Sequence, residues 1–250
     1  MADMNNEDEQ ARAWWNAWSE SFQSEGGHSI AVAFGPGASE GDDLGLLGNV
    51  SGIDAVELGC GGSQFGIALA QQGANVTGVD ISEEQLDYAQ KLAEEYDVDI
   101  NFVHNSVTEL SNIPNGRFDL AFSAFAFQWV EDLGACFSEA ARVLNDGGRL
   151  VFSVDHPYYK IIDPESHEFK KSYFDDSPRR EYSDSFDAEM VIYSRGVGET
   201  VQLLNDAGFS IETIREPGYE NPEEYEAEYG SFRPELMAKI PPTIVYSARI

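Results

Sequence analysis

Cations are scarce in this chain. Fifteen Lys and Arg, only five of them Lys, stand against 45 Asp and Glu, for a formal net charge of −30 over 250 residues. Such a balance repels polyphosphate backbones and anionic lipid headgroups, which argues against nucleic acid or a membrane surface as a direct partner. Cysteine is scarcer still: Cys60 and Cys136 are the two thiols, too few for a disulfide framework. No apolar run approaches the roughly 18 residues of a spanning helix. The opening MADMNNEDEQ has neither the cationic nor the apolar stretch of a secretory leader. A cytoplasmic protein is expected, with no metal site.

What is present suffices for one α/β domain with a full core and a small appendage, since 42% of the residues are hydrophobic. The rest of the chain is arranged around Ile53–Asp80, IDAVELGCGGSQFGIALAQQGANVTGVD. Ile53–Leu58 is a short apolar run rich in β-formers, expected as a buried parallel strand. Gly59-Cys60-Gly61-Gly62-Ser63 must then turn tightly with a bare backbone. Ser63 is placed to N-cap a helix through about Gln72, with Gly73 as its stop. A second strand, Asn75–Val79, finishes on Asp80. This βαβ unit suits an adenosine ligand: backbone N–H groups and a helix dipole at one end, a ribose diol bound by Asp80 at the other.

The spacing separates two cofactor classes. A dinucleotide fingerprint G-x-G-x-x-G beginning at Gly59 needs glycine at 64, where the chain has Gln64; this counts against a nicotinamide-dependent oxidoreductase. Glu57-x-Gly59-x-Gly61, followed by V-T-G-V-D, resembles instead the first motif of class I S-adenosylmethionine (SAM) dependent methyltransferases, of the small-molecule, methyltransferase-11-like kind. That motif's usual third glycine is Ser63 here. The resemblance implies SAM as cofactor, S-adenosylhomocysteine as product and a small-molecule methyl acceptor. It also implies a Rossmann-like, doubly wound sheet of seven strands in the order 3-2-1-4-5-7-6, the last one antiparallel. Carried over singly, Glu57, Gly59, Cys60 and Gly61 meet the methionine half and Asp80 the ribose hydroxyls. Ile81 packs on the adenine, Ser106 and Val107 lie along its edge, and Ser123 or Ala124 approaches the sulfonium by main chain. An NAD(P)-dependent oxidoreductase and a non-catalytic SAM-binding protein are the alternatives. The evenly spread acids resemble those of cytoplasmic proteins from salt-accumulating halophiles.

Elsewhere the pattern is consistent with that frame. Residues 1–9 read as disordered, and Gln10–Gln23 as a helix striped with Trp14, Trp15, Trp18 and Phe22, a cap in which Trp15 and Trp18 are candidate substrate contacts. Gly26–Gly52 reads as a connection with a short helix near Asp43–Leu47. Ser82-x-x-Gln85 is a capping box, opening a helix to Tyr96 that buries Leu86, Ala89, Ala93 and Tyr96. After the third strand (Ile100–Val103), His104-Asn105-Ser106 stands where the family commonly has G-D-A, so Ser106 replaces the acid that holds the adenine amino group. F-D-L-A-F-S-A-F-A-F-Q-W-V (strand Phe118–Phe122) resembles the family's fourth motif, with Gln128, a candidate substrate contact, in place of a common His. Asp132 is expected to cap a helix striped with Leu133, Phe137, Ala140 and Leu144, and R-V-L-N-D-G-G-R-L-V-F-S matches the helix, Gly-Gly turn and fifth strand (Arg149–Val154).

Ligands of an open parallel sheet sit outside the carboxyl ends of its strands. Asp80, Ser106, Ser123 and His156 all follow a predicted strand, and His156 is the candidate base or substrate contact. Residues 160–188 lose periodicity and read as a lid, with Tyr158 and Tyr173 as possible substrate walls and Arg179-Arg180 as a solvated pair. A strand over Glu189–Ser194, a helix over Gly198–Ala207 and strands over Phe209–Arg215 and Thr243–Arg249 complete the chain. The expected organisation is a tail and helical cap (1–48), a SAM-binding core (49–156), a lid insertion (157–188) and a C-terminal part of the same sheet (189–250), as a monomer or homodimer.

Overall fold

The computed structural model describes residues 6–25, 29–225 and 232–250. The chain opens on α1 (Asn6–Glu25) and then alternates β1 (Asp54–Leu58), α2 (Gln64–Gln71), β2 (Asn75–Asp80), α3 (Glu83–Glu95) and β3 (Ile100–His104). β4 (Phe118–Ala124), α4 (Leu133–Val143) and β5 (Leu144–Asp155) follow, then α5 (Pro157–Lys160) and a hairpin of β6 (Arg179–Ser183) and β7 (Ala188–Ile192). The chain closes with α6 (Val197–Asp206), β8 (Ser210–Arg215), α7 (Pro234–Met237) and β9 (Thr243–Arg249). The main sheet has seven strands in the order β3-β2-β1-β4-β5-β9-β8, with β9 antiparallel to both neighbours. This is the expected Rossmann-like order.

The sheet is buried on both sides because its central strands are mostly apolar, and the pleat sends alternate residues to opposite layers. Val56, Leu58, Ala121, Leu150 and Phe152 meet α4 and α6 through Phe137, Ala140 and Leu204. Ala55, Leu120, Phe122 and Val151 face α2 and α3 through Ile67, Leu69 and Ala93. Asp132 caps α4 by accepting from the Ala135 amide at 2.8 Å. Ser82 caps α3 by accepting from Gln85 N at 3.1 Å. Among the described residues no helix is long and apolar enough to cross a membrane.

Several local expectations give way. Residues 6–9 are helical, not disordered; residues 1–5 lie outside the described ones. Asp43–Leu47 is a turn, because the Asp42 carboxylate takes the amides of Leu46, Leu47 and Gly48 and folds the segment around itself. Tyr96 is the C-cap of α3 and 41% exposed, not part of its buried stripe. β5 starts at Leu144, and its pairing with β4 jumps from Leu144 to Arg149, so the Gly147-Gly148 turn bulges from within the strand. Residues 160–188 are less irregular than their pattern, since β6 pairs with β7 in a separate sheet. That hairpin crosses the boundary expected at 188, and Arg180 pairs across it with Glu189 at 2.9 Å.

Phe152 sits at the middle of the aromatic layer, with ring centroids at 5.0 Å from Tyr246, 5.1 Å from Phe127 and 5.3 Å from Phe137. Phe152→Ala is expected to cost about 3–5 kcal/mol, measured as a drop in urea midpoint at unchanged slope.

Candidate active site

Where β1 ends, the backbone turns at Gly59 with φ +72°, and a Cβ there would lie 2.5 Å from that of Ala126. Only glycine lets the β1 and β4 ends approach so closely. The amides of Gly59 and Cys60 both donate to Val79 O (2.8 and 2.9 Å), tying the turn to β2. Ser63 does not cap α2: its left-handed φ of 54° turns the hydroxyl back onto Glu57 Oε2 at 2.7 Å. That carboxylate also accepts from Gly66 N at 3.1 Å. A Cβ on Gly66 would stand 2.5 Å from the same oxygen, so this second glycine is required by Glu57 itself.

Glu57 is 4% exposed, and burial pushes its carboxyl up to about 8, with the charge of Asp80 adding to the rise. Asp80 accepts from Gly61 N through Oδ2 (2.8 Å) and from Ser82 N through Oδ1 (2.9 Å). Burial raises its carboxyl too, against backbone amides that pull it down. Each oxygen of Asp80 retains a lone pair. The Cys60 thiol is buried in the turn and pushed up by burial first and by Asp80 and Glu57 after it.

α1 covers this corner with its polar face. Gln64 Nε2 donates to Gln23 Oε1 and Gln23 Nε2 to Gln85 Oε1, each at 2.7 Å. Ser82 Oγ donates to Asn16 Oδ1 at 2.7 Å, and Asp8 hydrogen-bonds Ser106 and Thr108. Gln85 Nε2 is buried with no partner among the described residues. A bare glycine turn, a carboxylate with free lone pairs and an unpaired buried amide donor together fit a polar adenosyl ligand with a carboxylate of its own. Gln85 and Gln23 escaped the sequence reading: Gln85 was read as half of a capping box, and Gln23 only as a helix end.

The expected contacts distribute unevenly. Ser106 lies at the carboxyl end of β3, 5% exposed. Val107 belongs to the core beneath it, and Ile81 O receives His104 Nε2 at 2.9 Å. The Ser123 hydroxyl is turned from the cleft, donating to Leu58 O at 2.6 Å to bind β4 to β1; Ala124 is the last residue of β4. Trp15 packs against Trp129 (4.8 Å) and Trp18 (5.4 Å), so both belong to the seam between α1 and the segment after β4.

His156 is not placed as a base. Its Nδ1 accepts from Tyr158 N at 3.2 Å, capping α5, and its Nε2 meets Glu216 Oε1 at 2.8 Å. Both ring nitrogens are engaged, and the residue is 1% exposed. Tyr158 stacks between His156 (5.5 Å) and Tyr173 (4.8 Å).

Beyond the ends of β4 and β5 lie two cavities that share Pro157, Lys160, Ser194 and Arg195. The inner one, about 40 Å³, has Phe127, Gln128, Asp155 and Tyr246 in its wall. The outer one, about 220 Å³, has Lys171, Tyr173 and Phe174. Gln128 Oε1 is buried with no hydrogen-bond partner among the described residues. Asp155, ion-paired with Lys160, was missed although it follows a strand as His156 does; the signal that selected one applied to both.

A methyltransferase domain family matches residues 56–152, from the middle of β1 to β5. A SAM-dependent methyltransferase from Mesorhizobium loti is 28% identical, with a TM-score of 0.64 over 83% of this chain and 95% of that one. Residues 56–152 thus form a methyltransferase domain, on the fold that SAM-dependent methyltransferases share. An uncharacterized protein of Haemophilus influenzae is 26% identical over 210 residues, which is 78% of this chain and 82% of that protein. A ubiquinone biosynthesis O-methyltransferase of Alkalilimnicola ehrlichii is 32% identical over 107 residues, only 43% of either chain. With this methyltransferase chain SAM is the cofactor, and the turn, Asp80 and Gln85 are the groups that fit it.

Because the folded value of Glu57 lies above its ordinary 4.5, the group contributes stability at low pH that is lost as pH rises towards about 8. Between pH 6 and 8.5 the cofactor-free protein should lose about 2 kcal/mol more than Glu57→Gln does, measured as the difference in urea stability of the two proteins at both values.

Proposed function

We propose that this methyltransferase transfers the methyl group of SAM to a small, partly apolar acceptor held where β4 and β5 end. SAM supplies an activated methyl on a sulfonium, so the protein's task is mainly alignment, and proximity can provide much of the rate. Asp80 would hold the ribose hydroxyls, the Gly59–Gly62 turn and Gln85 the methionine half, and Ser106 the adenine edge. The single observation that carries the reading is the turn pinned between Glu57 and Asp80, with the Gln85 donor left over beside it.

The acceptor would lie in the two adjoining cavities. Phe127, Tyr246 and Tyr173 provide apolar walls there, and Gln128 Oε1 can receive a hydroxyl or amine proton. That space supports catalysis over mere cofactor sensing. The net charge of −30 supports a free small molecule in a cytoplasmic setting, and the even spread of acids supports a salt-rich one.

Titration calorimetry with S-adenosylhomocysteine in molar potassium chloride is the test, with NADH as the rival ligand. Binding of the first and not the second is expected, and the reverse would overturn the assignment. Asp80→Ala should weaken S-adenosylhomocysteine at least tenfold, as loss of one charge-assisted contact of about 1.5–3 kcal/mol; unchanged affinity would remove Asp80 from the site.

A further inference from the structure

Six of the 15 cations fall within residues 160–195: Lys160, Lys170, Lys171, Arg179, Arg180 and Arg195. Among the described residues eight of the 15 cations pair with a carboxylate, as Arg117 does with Asp54, Arg142 with Glu139, Arg249 with Glu212 and Lys160 with Asp155. Lys171 and Arg195 differ. The Lys171 ammonium donates to Asp175 O and Ser194 Oγ, both at 3.3 Å and both neutral. The Arg195 guanidinium donates to the carbonyls of Val130 and Glu131. Among the described residues no carboxylate lies within 4.0 Å of either. Both line the outer cavity. With three acids for every cation in the chain, two half-buried cations at the same cavity make no close ion pair, although Asp175 acts on Lys171 and Glu199 on Arg195 at longer range.

We infer that the acceptor carries a negatively charged group, a carboxylate or phosphate, seated against Lys171 and Arg195 while its apolar body extends towards Gln128. This rests on the methyltransferase reading and names the acceptor's class. The acids of the same wall do not cancel the site. Asp155 is consumed by Lys160, and the Asp175 carboxylate is turned onto the Ser177 amide and hydroxyl. Asp176 and Glu199 are exposed, where solvent and salt screen them, whereas half-buried cations act in a lower dielectric. Neighbouring charge agrees: Lys170 is held below its ordinary value by burial and then by Arg179, Lys160 and Lys171. A bound anion relieves that mutual repulsion.

The test is calorimetry on the full chain saturated with S-adenosylhomocysteine, using 4-hydroxybenzoate, phenyl phosphate and neutral 4-hydroxybenzyl alcohol as probes. At least one anion should bind about tenfold or more tightly than the alcohol, the scale of one charge-assisted contact; whether it is the carboxylate or the phosphate distinguishes the two sources. Lys171→Met should erase that preference without changing the alcohol's Kd or that of S-adenosylhomocysteine, and Lys171→Arg should retain it. Equal affinity for charged and neutral probes, no binding of either anion, or an unaffected Lys171→Met protein overturns the inference while the cofactor assignment stands. A chain that does not bind S-adenosylhomocysteine loses that assignment and this inference together.

Discussion

Two buried carboxylates hold one stretch of naked backbone between them. Glu57 lies beneath the first turn of α2, bonded to Ser63 and Gly66, and Asp80 lies opposite, bonded to Gly61 and Ser82. Gly61, Ser63 and Gly66 are each held by one of the two acids. Burying two like charges so close is costly, and it raises both carboxyls. The arrangement offsets part of that cost with four N–H or O–H donors.

The cover over this corner is two-faced. The polar side of α1, through Asp8, Asn16 and Gln23, reaches from Ser106 past the start of α3 to the glycine turn. Its aromatic side packs on the hairpin: Trp14 is buried with Ala188, Met190 and Ile192, and its ring meets Phe186 edge-on at 5.6 Å. The N-terminal helix and the β6–β7 hairpin thus form one roof, although more than 150 residues of chain separate Glu25 from Arg179.

The glycine turn, Asp80 and the strand order were legible because a βαβ unit writes its chemistry locally: Gly59, Glu57 and Asp80 are fixed by spacing within 24 residues. The roof was not. Gln23 and Asn16 are neutral polar residues whose partners, Gln85 and Ser82, lie more than 60 positions away, and no periodicity announces such pairs. β6 was invisible because all but the last of its five residues are exposed; its order comes from pairing with β7, whose apolar face needs Trp14. Ser63 misled for a different reason. Its residue type suits an N-cap, but the left-handed backbone demanded by the turn aims its hydroxyl at Glu57. His156 misled in the opposite sense: a residue type suited to proton transfer is used as a cap for a four-residue helix.

The two faces of α1 differ in how readily they part. Hydrogen bonds between Gln, Asn and Ser side chains are exchanged for bonds to water on opening, so each contributes only about 1 kcal/mol net. The indole and phenyl contacts on the other face have no such substitute in water, and each large aromatic surface exposed costs several times that amount. The seam of least resistance therefore runs between α1 and the cofactor corner, not between α1 and the hairpin. Helix and hairpin are thereby held to one another more firmly than the helix is held to the glycine turn.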